Sequence, residues 1–318
     1  MNSLLVIKPS SLGDIVHGLQ VVQAVARARP GLRITWIVRE RFAGLVQAAP
    51  FIDETIIFRR RDGWNGFWRL LRELRGRRFD AVWDMQGLFR SAAMTAAVHA
   101  PKKWGRPDAR EGAGFFYTAP IDRPEGSGPH HAIEVLLPFG RTIGVEPRLE
   151  WPLELKDDAV FPWRGFFAGD PAKTFVMFTD SRGKEKEWGG FTPLMRSILD
   201  DIPGSRIAWC AGRRTAAPLV APEDRFLNLT GCPLDEMIAL VRQPATFIGN
   251  DSGPMHLSAA TGNRVLAIFG PTSPRRFGPW PLESPRHRAV EAPGGKLDAL
   301  TPAAVFSALA ELTARTAV

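Results

Sequence analysis

The chain has 318 residues, enough for two domains of ordinary size. With 45% hydrophobic and 23% charged residues it has the composition of a globular protein rather than a disordered one, and no apolar run reaches the roughly 18–20 residues of a membrane span. The formal net charge of +8 favours anionic partners (phosphates, acidic sugars, nucleic acid or a bilayer surface) without choosing among them.

In chain order, LLVIKP reads as a first strand, and SSLGD turns into a helix through VHGLQVVQAVARA that Pro30 and Gly31 close. The start, MNSLLVIKPSSLGD, lacks the basic and long apolar segments of a signal peptide. RITWIV is a second strand, and TIIF and AVWDMQ are later ones. GFWRLLRELRG has helical period, with Phe67, Leu70, Leu71 and Leu74 on one face. Prolines and glycines then break the pattern, which places an interdomain linker at 156–171, between domains at 1–155 and 172–318. The second set alternates through the strand TFVMFTD, a helix around TPLMRSILDDI, the strand RIAWCAG, the helix LDEMIALVRQ, the strand ATFIGN, the helix PMHLSAATG and the strand RVLAIFGPT. It ends in a helix within LTPAAVFSALAELTAR, which could pack back on the first domain. Strand and helix alternating in this way predict α/β architecture with parallel sheets. Cys210 and Cys232 are too few for a disulfide framework and too far apart for a thiol metal site, so a reducing compartment is expected.

Four segments carry chemistry. Lys8-Pro9-Ser10-Ser11-Leu12-Gly13-Asp14 joins a strand to a helix, the place where open α/β sheets bind ligands. Asp14 there serves either a reaction or merely the helix dipole, and spacing does not decide between them. Gly249-Asn250-Asp251-Ser252-Gly253-Pro254-Met255-His256 makes a second such turn. Its free amides suit a pyrophosphate, although a plain capped helix has the same pattern. The following turn, Gly270-Pro271-Thr272-Ser273, sits beside it. Thr179 to Trp188 is a loop of hydroxyls and lysines that suits a departing diphosphate, or is simply solvated. Finally, Arg59, Arg60, Arg61, Trp64, Trp68, Arg69, Arg72, Arg75, Arg77 and Arg78 form a basic aromatic stretch suited to phosphate, carboxylate or a membrane interface, or a solvated helix face. A Walker A loop, a G-x-G-x-x-G fingerprint after a strand and a D-x-D triplet are all missing, which weighs against NTPase, NAD and metal-dependent readings.

Taken in order, KPSSLGDIVH, FDAVWDMQGLFRSA, WGRPDAREGAGFFY, HHAIE, the loop ending KEKEW and GNDSGPMHLSAATG resemble the ADP-heptose:lipopolysaccharide heptosyltransferases of glycosyltransferase family nine. DMQGLFRSA is most similar to the first heptosyltransferase, which acts on Kdo-lipid A. The resemblance implies a GT-B fold of two Rossmann-like domains with parallel sheets facing across a cleft. It also implies an inverting single displacement without metal or cofactor. Asp14 would be the general base and Lys186 would neutralise the leaving diphosphate. Ser181, Asp251, Ser252, Gly253, Pro254 and His256 would bind the donor, with Asp251 on the sugar. Ser10, Ser11, Gly13, Arg59, Arg60, Arg61, Asp84, Gln86, Arg90, Arg106 and Arg110 would face the acceptor. The partners implied are a nucleotide-diphosphate sugar, an anionic glycolipid and the cytoplasmic surface of the inner membrane, with no nucleic acid. Two departures stand out: Arg182 replaces a donor threonine, and AGRRTAA lacks the acidic residue expected for the donor ribose. The competing expectations are a transferase or epimerase for another nucleotide-sugar, a non-catalytic binder of nucleotide or glycolipid, and a nucleic-acid binder.

Overall fold

The structure, a computed structural model, describes residues 1–124, 126–149, 151–156, 161–212, 216–219 and 223–315. The chain divides into two compact units, Met1–Asp157 and Asp158–Val318. Residues 157–160 of the expected linker lie outside the described residues. From Phe161 on, the chain already belongs to the second unit, because Phe161 and Phe167 are buried with their rings 5.8 Å apart.

The first unit runs β1 (Ser3–Ile7), α1 (Leu12–Ala28), β2 (Arg33–Arg39), α2 (Ala43–Ala48), β3 (Glu54–Phe58), α3 (Gly63–Arg75), β4 (Ala81–Asp84), α4 (Phe89–Ala97), β5 (Lys102–Gly105), β6 (Ala119–Pro120) and α5 (Pro138–Arg141). Its sheet is parallel with strand order β3-β2-β1-β4-β5-β6. Helices cover both faces of such a sheet, so its central strands are apolar without alternation. Leu4 to Ile7 are accordingly fully buried. On one face Leu5, Ile7, Ile37 and Val82 pack against Phe67, Leu70, Leu71 and Leu74, the apolar stripe of α3.

The second unit runs β7 (Thr174–Phe178), α6 (Phe191–Asp201), β8 (Arg206–Cys210), β9 (Phe226–Asn228), α7 (Leu234–Leu240), β10 (Thr246–Asn250), α8 (Gly253–Ala260), β11 (Arg264–Phe269), α9 (Pro274–Phe277), β12 (His287–Glu291) and α10 (Pro302–Arg315). Its parallel sheet has the order β12-β11-β10-β7-β8-β9. The buried face of α10, formed by Val305, Ala308, Leu309 and Leu312, joins Leu194, Ile198 and Ile268 in this unit's own core.

Each sheet reverses its winding once, between β1 and β4 in the first unit and between β7 and β10 in the second. At such a switch point the two following loops leave the sheet on opposite sides and open a crevice at the carboxyl ends of the strands. Asp14 follows β1 and Gln86 follows β4. Ser181 and Lys186 follow β7, and Asp251 and Ser252 follow β10. These expected site residues therefore collect at the switch point of their own unit, while Arg59 to Arg61 follow β3 and Arg106 and Arg110 follow β5.

Candidate active site

In the first unit Asp14 sits in the first turn of α1, where its Oδ2 accepts from the Ser11 amide at 3.0 Å and the Ser11 hydroxyl at 2.5 Å. This is half of a capping box with Asp in the place of Glu. Lys8, at the end of β1, lies beneath it with Nζ 3.5 Å from Asp14 Oδ1 and donates to the Met85 carbonyl at 3.0 Å. The lysine side chain is 2% exposed and the aspartate side chain 42%. Burial pulls the Lys8 ammonium below its usual value, against the attraction of Asp14. Burial also pushes the Asp14 carboxyl upward, but Lys8 and the two Ser11 hydrogen bonds outweigh it and hold the group well below the ordinary carboxylate range. Asp14 is thus an ionised, accessible carboxylate on a rigid support.

The acceptor-side expectations divide. A cavity of about 450 Å³ brings together Ser10, Arg60, Gln86 and Arg90, with Trp64 and Phe89 on its walls. The buried Gln86 Oε1 has no hydrogen-bond partner among the described residues. Ser11 and Gly13 hold the Asp14 turn. Arg59 and Arg61 are exposed on the flanking loop, whose shape Glu40 sets by accepting from the Arg60 and Arg61 amides at 3.1 and 3.3 Å. Gly66 lets α3 approach this loop, since a Cβ there would lie 2.8 Å from the Arg59 carbonyl. Arg106 is engaged by Asp108 at 2.7 and 2.8 Å, and Arg110 is exposed with its amide on the Gly87 carbonyl.

Asp84 lies deeper than the other acceptor-side residues. It is fully buried, its Oδ1 accepts from the Gln86 and Gly87 amides, and its Oδ2 accepts from the Tyr117 hydroxyl at 2.9 Å. Burial raises its pKa against these hydrogen bonds. With no surface to offer a ligand, it shapes the turn that presents Gln86.

In the second unit Lys186 and Asp251 form an ion pair at 2.6 Å, and Thr272 donates to the same carboxylate oxygen at 2.7 Å. His256 Nε2 is 3.8 Å from the other oxygen. Here the exposures reverse: the Asp251 side chain is 7% exposed and Lys186 29%. The Asp251 carboxylate, expected on the sugar, here holds Lys186. Ser181 donates to the Asp251 carbonyl at 3.1 Å, joining the loop after β7 to the turn after β10. Asn250 strengthens that junction by donating to the Thr179 carbonyl and accepting from the Trp188 amide. Ser252 is the N-cap of α8, Gly253 and Pro254 begin the helix, and the buried Ser252 hydroxyl has no hydrogen-bond partner among the described residues. A helix N-terminus with an unused hydroxyl beside an ammonium is an anion site.

A second cavity, about 350 Å³, opens beside this turn between Phe178, Asp180, Gly212, Leu229, Met237 and Pro254. Residues 213–215 of AGRRTAA lie outside the described residues. An acid reaches this place from a different strand: Asp180, at the end of β7, accepts from the Gly212 amide at 2.5 Å. Lys8, Thr272 and Asp180 are the partners that residue-by-residue reading leaves without a role.

Two Rossmann-like units with their polar groups at the switch points define a glycosyltransferase of the GT-B class. The chain belongs to glycosyltransferase family 9, the heptosyltransferase family, whose model matches residues 67–293. It is 27% identical over 87% of its length to the lipopolysaccharide core heptosyltransferase OpsX of Haemophilus influenzae, covering 82% of that protein. It is 32% identical over 84% of its length to lipopolysaccharide heptosyltransferase 1 of Campylobacter coli, covering 83% of that protein. Its fold matches that of the Escherichia coli heptosyltransferase WaaC, solved with ADP, with a TM-score of 0.77 and 24% identity over 98% of this chain and 99% of that one.

Proposed function

We propose that this enzyme transfers heptose from ADP-heptose to a Kdo-containing lipopolysaccharide inner-core acceptor, with inversion at the anomeric carbon and without a metal ion. What supports this reading is that the first unit leaves a carboxylate accessible after β1 and the second unit leaves an ammonium accessible after β7, each held by a buried counter-charge. Asp14 removes the proton of the attacking acceptor hydroxyl as its oxygen bonds to the anomeric carbon. Ionised at neutral pH and close to that oxygen, it needs no raised pKa to act. The bond to the diphosphate breaks in the same step, and Lys186 with the amides and Ser252 hydroxyl at the start of α8 takes up the charge of the departing group. That positive charge does the work a divalent ion does in metal-dependent transferases. The cavity beside Asp180 and Met237 takes the nucleoside, and the cavity beside Arg60, Gln86 and Arg90 takes the acceptor's anionic groups. The first unit is then the acceptor domain and the second the donor domain.

No helix among the described residues is long and apolar enough to cross a membrane. We place the enzyme in the cytoplasm, peripheral to the inner membrane where a lipid-anchored acceptor resides. Calorimetric titration with ADP, UDP and GDP tests the donor assignment, with Lys186→Ala as control. Selective ADP binding that weakens in the variant, followed by turnover of ADP-heptose with Kdo-lipid A in the presence of EDTA, supports the proposal. Preference for UDP or GDP leaves the transferase class and refutes ADP-heptose.

A further inference from the structure

The apolar stripe of α3 is used up in the core, yet the helix carries two tryptophans beyond it. Trp64 and Trp68, one turn apart, are 57% and 55% exposed. Close by, Phe89 at the start of α4 and the neighbouring Phe115 and Phe116 are also exposed. Five of the six exposed large aromatic residues among those described therefore lie on α3, the start of α4 and the Phe115–Phe116 turn. They are fixed to one another: the Arg90 guanidinium lies 5.2 Å from the Trp64 ring, the Phe89 and Phe116 rings meet edge to face at 6.5 Å, and Trp64 meets the buried Phe67 at 5.8 Å. The surrounding charge is nearly all of one sign. From Arg59 to Arg78 there are eight arginines against two carboxylates, a net +6 of the chain's +8. Arg72 and Arg75, on the tryptophan side of α3, are exposed and make no ion pair among the described residues.

We infer that this face of the first unit, α3 with the Phe115–Phe116 turn, docks flat on an anionic phospholipid bilayer. Tryptophan and phenylalanine held at a surface gain by entering the headgroup boundary, and arginines beside them gain from the negative potential there. A second copy of the chain fits poorly, because a two-fold contact would set the same arginine-rich helix against itself. The docked face adjoins the cavity lined by Arg60, Arg90 and Trp64, so a glycolipid standing in the bilayer reaches that cavity without leaving its leaflet. The inference rests on the peripheral-membrane reading above and assigns the surface responsible for it.

The test is flotation of the full chain with phosphatidylcholine vesicles, with and without phosphatidylglycerol and free of lipopolysaccharide. The variants are Trp68→Ser/Phe115→Ser and Arg72→Gln/Arg75→Gln, both pairs at exposed positions, with unchanged melting as the control for folding. The wild type should partition onto phosphatidylglycerol vesicles far better than onto phosphatidylcholine alone. The arginine pair should lower that partitioning by roughly 5-fold per residue removed. The aromatic pair should lower it by about 10-fold or more, while turnover of a delipidated, water-soluble acceptor stays unchanged. If the wild type floats and both variants float equally well, peripheral association stands and this surface assignment fails. If the wild type does not float, both fail. Displacement from vesicles by an oligonucleotide that binds more tightly in the wild type than in either variant would overturn the choice of a bilayer.

Discussion

Lys186 and Asp251 face each other across 2.6 Å, and removing either one should have unequal consequences. In Lys186→Met the Asp251 carboxylate, 7% exposed, keeps the Thr272 hydroxyl at 2.7 Å and His256 at 3.8 Å and gains almost no water. Breaking a buried pair from one side costs about 3–5 kcal/mol, and the surviving Thr272 hydrogen bond offsets about 1 kcal/mol of that. The expected loss is therefore about 2–4 kcal/mol. In Asp251→Asn the stranded group is the Lys186 ammonium, which is 29% exposed and can rehydrate, while Thr272 can still donate to the amide oxygen. The loss then falls to that of one charge-assisted hydrogen bond, about 1–2 kcal/mol. Urea unfolding followed through the transition that ADP shifts reads the second unit, since that is where ADP is proposed to bind. Lys186→Met should move its midpoint roughly twice as far as Asp251→Asn. An equal shift, or a larger one for Asp251→Asn, would refute the argument from burial.

Asp14→Asn should keep ADP affinity and lose kcat by on the order of 10²–10⁴-fold, measured as heptose transfer under saturating substrates; unchanged kcat would reduce Asp14 to a helix-end residue. Because its folded-state pKa is depressed, the Asp14 contribution to stability is complete above the unfolded value near 3.8 and is lost only as the pH falls further. The kcat/KM profile should therefore show no acid limb from Asp14 between about pH 5 and 8. Lys8→Met removes the largest force lowering that pKa and leaves burial opposed only by the Ser11 hydrogen bonds and His17, so the acid limb should move to higher pH than in the wild type; an unmoved limb would show that Lys8 does not tune Asp14. For Asp84, Asp84→Ala strands two amides and the Tyr117 hydroxyl and should destabilise by about 2–4 kcal/mol, whereas Asp84→Asn keeps an acceptor for the amides and should leave acceptor KM unchanged. A large rise in KM for Asp84→Asn at normal melting temperature would return Asp84 to the binding surface.

The sheet centres were legible because strands covered on both faces leave unbroken apolar runs: LLVI, TWIV, TFVMF and RVLAIF all became strands. The edges were not. β5 (KKWG), β6 (AP), β9 (FLN) and β12 (HRAVE) are short or polar, and pairing alone makes them strands. α4 begins within DMQGLFRSA and runs on to Ala97, a short Ala-rich helix that shows little period. Asp14 and its partners Lys8 and Ser11 share one turn, but the contacts of Asp84, Asp180 and Asp251 come from elsewhere in the chain. Tyr117 meets Asp84 across 33 positions, Thr272 meets Asp251 across 21, and the Asp180 carboxylate reaches Gly212 across 32. Local pattern carries no information about such contacts. The burial of Asp84 was illegible for the same reason, since burial is a property of the packed sheet and not of the motif.

The two switch points use one device with opposite polarity. After β1 the cation is buried and the carboxylate accessible; after β7 and β10 the carboxylate is buried and the cation accessible. In each pair the inner member is fixed from behind, Lys8 by the Met85 carbonyl and Asp251 by the Thr272 hydroxyl. A rigid inner charge keeps the outer one oriented without drawing it out of solvent. The reaction needs one group to accept a proton at the acceptor and one to take up negative charge at the donor, and these are the two groups left accessible. Exchanging which member is buried would remove the function of each site while leaving its ion pair intact. Accessibility, more than the presence of a charge pair, is what supports the proposal that Asp14 and Lys186 act in the chemistry with Lys8 and Asp251 as their support.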